Sequence, residues 1–142
     1  MEKALLVGVN LNDGEDYRLS LEELDALAGA CDMKVVGEII QTLSVINNAF
    51  YIGPGKVEEV KELAEECDAD VIIFDNSLSP MQLRNLQKRL DKPILDRSTL
   101  ILDIFAQRAR TREAKLQVEA ARLQYMLPRL VGLHAEIGRA HV

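Results

Sequence analysis

The chain has no tryptophan and few other aromatics, three tyrosines and three phenylalanines, so aliphatic side chains must fill its core. Its only cysteines, Cys31 and Cys67, sit where helices should end, each followed directly by Asp. With no CxxC spacing and no histidine near them in sequence, both read as reduced, half-buried thiols of a cytoplasmic protein, and neither a disulfide nor a metal site is expected. The two histidines, His134 and His141, lie in the tail with no carboxylate or serine arrangement around them. No nucleophile–base pair can be assembled, so no catalytic residue is assigned. No apolar run approaches the length needed to span a bilayer, and the opening MEKALLVGVNL is interrupted too early for a secretory signal. What remains is a soluble chain of 142 residues, enough for one domain with a proper core.

The apolar pattern alternates in kind. Ala4 to Val9 is a continuous apolar run suited to a strand buried on both faces. Ser20, with Glu23 three residues on, reads as the capping box of a helix to about Ala30, with Leu21, Leu24, Leu27 and Ala28 inward. Lys34 to Gln41 is rich in β-branched residues and reads as a second strand. Thr42 to Ile52 carries a weak signal, a loop with a short strand at Phe50 to Ile52 or a lid. Val57, Val60, Leu63 and Ala64 then mark an acidic amphipathic helix. Asp70 to Asp75 is a third strand. Ser79-Pro80 starts a helix with an N-cap and a proline at the first position, and Pro93 to Asp96 is a short fourth strand. Strand and helix alternating over short connections imply an α/β fold: a four-stranded, mainly parallel sheet with flanking helices.

From Leu100 to Leu130 there is no glycine, and the one proline is Pro128. Leu102, Ala106, Ala109, Glu113, Leu116, Ala120, Leu123, Leu127 and Leu130 recur in steps of four and three, the period of a coiled-coil seam. One long helix capped by Ser98 and running to Leu127 would be about 45 Å long. That is more than the sheet can cover, so its distal half needs another partner. Charge separates this stretch as well. Residues 1–96 hold nine basic and nineteen acidic side chains, a balance of −10, whereas residues 97–130 hold seven basic and three acidic, a balance of +4. A basic helix on an acidic body suggests a polyanionic partner; the plainer reading is an arginine-rich solvated face.

Two further stretches could carry chemistry. Gly53, Gly55 and Lys56, in YIGPGK at a helix start, are candidate nucleotide or anion contacts. The phosphate-loop pattern GxxxxGK[ST] nevertheless fails, with Phe50 in place of its first glycine and Val57 in place of its Ser or Thr, and Pro54 removes an N–H donor. A tight turn before a helix accounts for the nucleotide-like pattern; contact with an anion or a neighbouring domain stays open. Asp75-Asn76-Ser77 and Asp96-Arg97-Ser98 follow strands on the carboxyl edge, where open α/β sheets bind ligands. Asp and Ser there are read as loop and cap residues.

YIGPGKVEE at 51–59 and DRSTLILDIFAQRARTREAKLQVEAARLQYMLPRLVG at 96–132 resemble the N-terminal part of the HflX family of ribosome-associated GTPases. The second segment is long and close to the family pattern; the strand–helix order of residues 1–96 agrees. The resemblance implies an α/β N-terminal domain at 1–97, the first helix of an antiparallel pair at 98–130 with its partner missing, and entry into the connecting loop at 128–132. It also implies association with the large (50S) ribosomal subunit, ribosome splitting under stress, and GTP and Mg2+ as cofactors of the full-length protein. Arg108, Arg110, Arg112, Lys115, Arg122 and Arg129 would then be the rRNA contacts. No GTP-binding element occurs in 1–142, and no cofactor is expected for this chain. Residues 131–142 form a tail, whose EIGRAHV can be encoded by a sequencing adapter read in frame; Glu136 to Val142 are therefore expected to be artefactual, after a truncated gene model. Two competing functions remain: a small ATP-binding regulatory α/β domain using Gly53, Gly55 and Lys56, and a module that self-associates through the uncovered seam.

Overall fold

The computed structural model describes residues 1–140, with side chains through residue 129. The seam position Leu130, both histidine side chains and the side chains of Glu136 to Val142 lie outside that range. The chain runs β1 (Glu2–Asn10), α1 (Tyr17–Ala30), β2 (Met33–Thr42), α2 (Pro54–Glu66), β3 (Val71–Phe74), α3 (Pro80–Leu90), β4 (Ile94–Asp96), α4 (Arg97–Arg108) and α5 (Arg112–Ala140). The four strands form one sheet in the order β2-β1-β3-β4, every neighbouring pair parallel. The α/β class and the parallel sheet follow the expectation.

Successive residues of the central strands serve opposite faces, as the pleat requires. Leu5 and Val7 of β1, with Ile72 and Phe74 of β3, pack against Val57, Val60 and Ala64 of α2 and Leu86 and Leu90 of α3. Ala4, Leu6, Val71 and Ile73 pack on the other face against Leu21, Leu24 and Ala28 of α1 and Leu100 of α4. Burying each such Leu, Ile or Phe contributes about 1.5–3 kcal/mol, which is how a chain without tryptophan holds a two-faced core. A Cβ on Gly8 would sit 3.1 Å from the Leu21 side chain, so α1 lies low on β1 and carries Ser20 to the carboxyl edge.

The helix starts differ from expectation at two places. Asp16, not Ser20, caps α1, its carboxylate accepting from the Leu19 N–H. Asp96, not Ser98, caps α4, accepting from the Thr99 N–H at 3.1 Å. Both serines are engaged by side chains across the edge instead. Ser79 does cap α3, with Gln82 completing the box and Pro80 in the first turn. In place of a strand at Phe50 to Ile52 there is a single antiparallel bridge between Asn47 and Tyr51.

The larger difference is in the long helix. It breaks after Arg108, where Ala109 turns extended (φ −69°, ψ 120°), and restarts at Arg112. Thr111 initiates the second helix, its hydroxyl accepting from the Ala114 N–H at 3.0 Å. A continuous helix would have stacked Arg108, Arg112 and Lys115 on one face at i, i+4 and i+7, where like charges repel. At this elbow the chain reverses. Arg122 of α5 pairs with Asp103 of α4 at 3.4 Å, and Tyr125 reaches back to Asp96, so α5 runs antiparallel to α4. It passes through Pro128 and residues 128–132 without entering a loop.

Candidate functional site

Three places collect the residues singled out by sequence. The first is the carboxyl edge between β3 and β4. Asp75, buried at the end of β3, accepts from Arg97 Nε at 3.0 Å and Nη2 at 2.8 Å on one oxygen, and from the Ser20 hydroxyl at 2.5 Å on the other. Arg97 also donates to the Ser20 carbonyl at 2.6 Å and reaches Glu23 at 3.3 Å. Asp96, 4% exposed, makes no ion pair among the described residues. It accepts from the Thr99 N–H and hydroxyl on one oxygen, and from the Leu78 N–H and the Tyr125 hydroxyl on the other. Ser77 and Ser98 share a hydrogen bond of 2.7 Å. These groups tie loops and helix ends together, as loop and cap residues do.

The same edge receives α5. The Arg129 guanidinium donates to the Tyr125 carbonyl and the Leu78 carbonyl, each at 2.6 Å, and lies 3.5 Å from the centre of the Tyr125 ring. Burial first, then the hydrogen bond to Asp96, pushes the Tyr125 phenol up to about 12. Asp96, Tyr125, Arg129 and the Leu78 peptide thus form a latch holding α5 to the body. Sequence reasoning missed Tyr125. The available signal was a lone aromatic with a polar tip in a helix otherwise built of Ala and Leu.

The second place is the turn before α2. Gly53 precedes the helix, and its N–H donates to the Gln41 side chain at 2.8 Å. Gly55 lies in the first turn, and Lys56 is paired with Glu59 at 3.1 Å. In this turn one N–H and the lysine ammonium are partnered inside the chain.

The third is the elbow. Arg108, Arg110, Arg112 and Lys115 are all exposed, and among the described residues none of the four makes an ion pair. Glu113 is the one acid between Arg108 and Lys115. Phe105, 55% exposed, stands one helical turn before Arg108. The other two basic candidates lie elsewhere: Arg122 is paired with Asp103, and Arg129 is turned inward to the latch. Among the described residues the elbow therefore concentrates four unpaired cations and an exposed aromatic ring on a chain of net charge −6.

Among the described residues no cluster of three or more His, Cys, Asp or Glu is placed to hold a metal ion, and no helix is long and apolar enough to cross a membrane. Both cysteines are free and partly buried.

Comparison with known proteins agrees with this architecture. Residues 18–106 match the family model for the GTP-binding GTPase N-terminal region, and residues 108–141 match its middle region; the two meet at the elbow. The chain is 46% identical over 138 residues to a GTPase HflX of Lacrimispora saccharolytica, covering 97% of this chain and 33% of that protein. It is 44% identical to a GTPase HflX of Alkalihalophilus pseudofirmus, with 98% and 33% covered. A crystal structure of a GTP-binding protein from Sulfolobus solfataricus in complex with GDP superposes with a TM-score of 0.67 at 32% identity, over 95% of this chain and 40% of that one. The chain thus spans about a third of the length of the curated relatives it matches. With sheet order, helix order and both regional matches in agreement, the chain belongs to the HflX family of GTP-binding GTPases.

Proposed function

We propose that this chain is the ribosome-docking region of a cytoplasmic HflX-type GTPase, which binds the large (50S) subunit and takes part in splitting ribosomes under stress. Residues 1–97 act as the α/β N-terminal subdomain, and the helical region beyond them presents the elbow. GTP and Mg2+ belong, in this reading, to the whole protein rather than to residues 1–142. The observation that carries the proposal is the elbow itself: Arg108, Arg110, Arg112 and Lys115 free of ion pairs among the described residues, on a chain of net charge −6. An acidic protein meets rRNA only where its cations are gathered and unspent, and released counterions then supply the affinity. Phe105 adds a surface on which an unstacked base can lie. Arg122 and Arg129, engaged within the chain, orient α5 in this scheme rather than contact phosphate.

The test is co-sedimentation of the chain with 50S subunits across a salt series. Four phosphate contacts give a log–log slope of about −3. Replacing Arg108, Arg110, Arg112 and Lys115 together by glutamine should remove most of that slope and most of the bound fraction. Sedimentation untouched by the quadruple change would end the electrostatic reading.

The ATP-binding alternative has less support, because Lys56 and the Gly53 N–H already have partners. Saturable ATP binding lost in Lys56→Ala would restore it.

A further inference from the structure

At the carboxyl ends of β1 and β3, where the strand order reverses, a crevice of about 300 Å³ opens between the β1–α1 loop and the loop after β3. That volume is at the lower end of small-molecule sites. Four carboxylates line it, Asp13, Glu15, Asp16 and Asp75, and no Lys or Arg does. Arg97 reaches Asp75 but divides its charge between that residue and Glu23. A phosphate would meet only repulsion here, and the carboxylates are not grouped to chelate a metal ion.

Tyr51 points to what does fit. Its ring belongs to the α2-side core and the residue is 7% exposed, yet it lines the crevice, and among the described residues no hydrogen-bond partner meets its hydroxyl. The chain holds it there deliberately. Asn47 accepts from the Ala49 and Phe50 N–H groups at 2.8 and 2.9 Å, and the Asn47–Tyr51 bridge fixes Tyr51 at φ 69°, in the left-handed region. Burial raises the phenol's pKa, and the charges of Asp75 and Asp13, which line the same crevice, raise it further. Tyr17 lines the same crevice, with the Arg18 guanidinium 5.7 Å from its ring centre. An unpartnered phenol oxygen open to the crevice and the carboxylates of Asp13, Glu15 and Asp16 are together surroundings an ammonium group prefers. Val9 and Leu11 give methylenes somewhere to lie.

We propose that this crevice binds a small organic cation with primary ammonium groups, of the diamine and polyamine class, the ammonium seated against the Tyr51 oxygen and Asp13. The site is independent of the elbow, so its failure would leave the ribosome-docking proposal standing.

Isothermal titration of the chain with spermidine tests it, and saturable one-to-one binding is expected. Asp13→Asn, which keeps the loop's turn geometry, should weaken binding about tenfold, and Tyr51→Phe by about threefold to tenfold, the loss of one hydrogen bond each. Glu65→Gln, at the far end of α2, should change nothing. No saturable binding would overturn the proposal. Equal weakening by Glu65→Gln and Asp13→Asn would do so too, because it marks diffuse attraction to an acidic protein. Tighter binding of Nα-acetyl-lysine amide than of spermidine would assign the crevice to a protein side chain and reject the free amine.

Discussion

At the scale of single residues, the buried acid Asp96 shows how this fold handles charge. Among the described residues it has no ion-pair partner and is satisfied by four donors from β4–α4, the loop after β3, and α5. The negative charge of Asp96 makes a second negative charge beside it costly. The group beside it is Tyr125, whose phenol ionises near 12 in the folded chain against an ordinary value of 10. Between those pH values the unfolded chain has released a proton that the native chain keeps. The linkage sign is therefore negative: the latch contributes fully below pH 10, and its contribution is lost as the pH rises to about 12. Urea unfolding of the wild type and of Tyr125→Phe, followed from pH 8 upward, should show the wild type losing its advantage in this alkaline window. A gap independent of pH would mean that the Tyr125–Asp96 contact carries no stability.

At the scale of elements, local pattern was legible where it coincided with burial. The apolar runs of β1 and β3, the inward stripes of α1 and α2, and the Ser79-Pro80 helix start all read directly, because each local preference agrees with the packing around it. The elbow did not. Residues 100–130 contain no glycine and no proline before Pro128, so propensity alone runs them as one helix. What breaks it is a threonine hydroxyl competing for backbone donors, repulsion among stacked arginines, and a latch that draws α5 back to the sheet edge. The latch is tertiary and leaves little trace in a single sequence. The free cations of the elbow were visible as charge, but Arg122 and Arg129 could be set apart from them only once α4 and α5 were placed. If Thr111 is what starts α5, Thr111→Ala should cost about 1 kcal/mol locally. Hydrogen exchange at the Ala114 amide should then quicken about fivefold, while α1 and α2 amides keep their protection. Unchanged exchange at Ala114 would assign the break to charge repulsion or to the latch instead.

At the scale of the whole molecule, α5 uses one face and leaves another bare. Ala114, Val118, Ala121 and Tyr125 are partly covered on the side toward α4 and the sheet edge. The seam read from sequence lies about half a turn away, on the opposite face, and Leu116, Leu123 and Leu127 are 62%, 46% and 52% exposed along it. An apolar stripe in water is unfavourable by about 25 cal/mol for each Å² that a partner could cover. A second copy of the chain, presenting the same stripe, can supply that cover. Sedimentation velocity should therefore show concentration-dependent association in the micromolar range. Leu123→Glu, which places a charge on the seam without touching the latch, should return the chain to a monomer with unchanged helicity. If the wild type stays monomeric at the highest attainable concentration, the stripe is not an interface between copies. If Leu123→Glu associates as the wild type does, the contact lies elsewhere, and the elbow with Phe105 becomes the surface to probe.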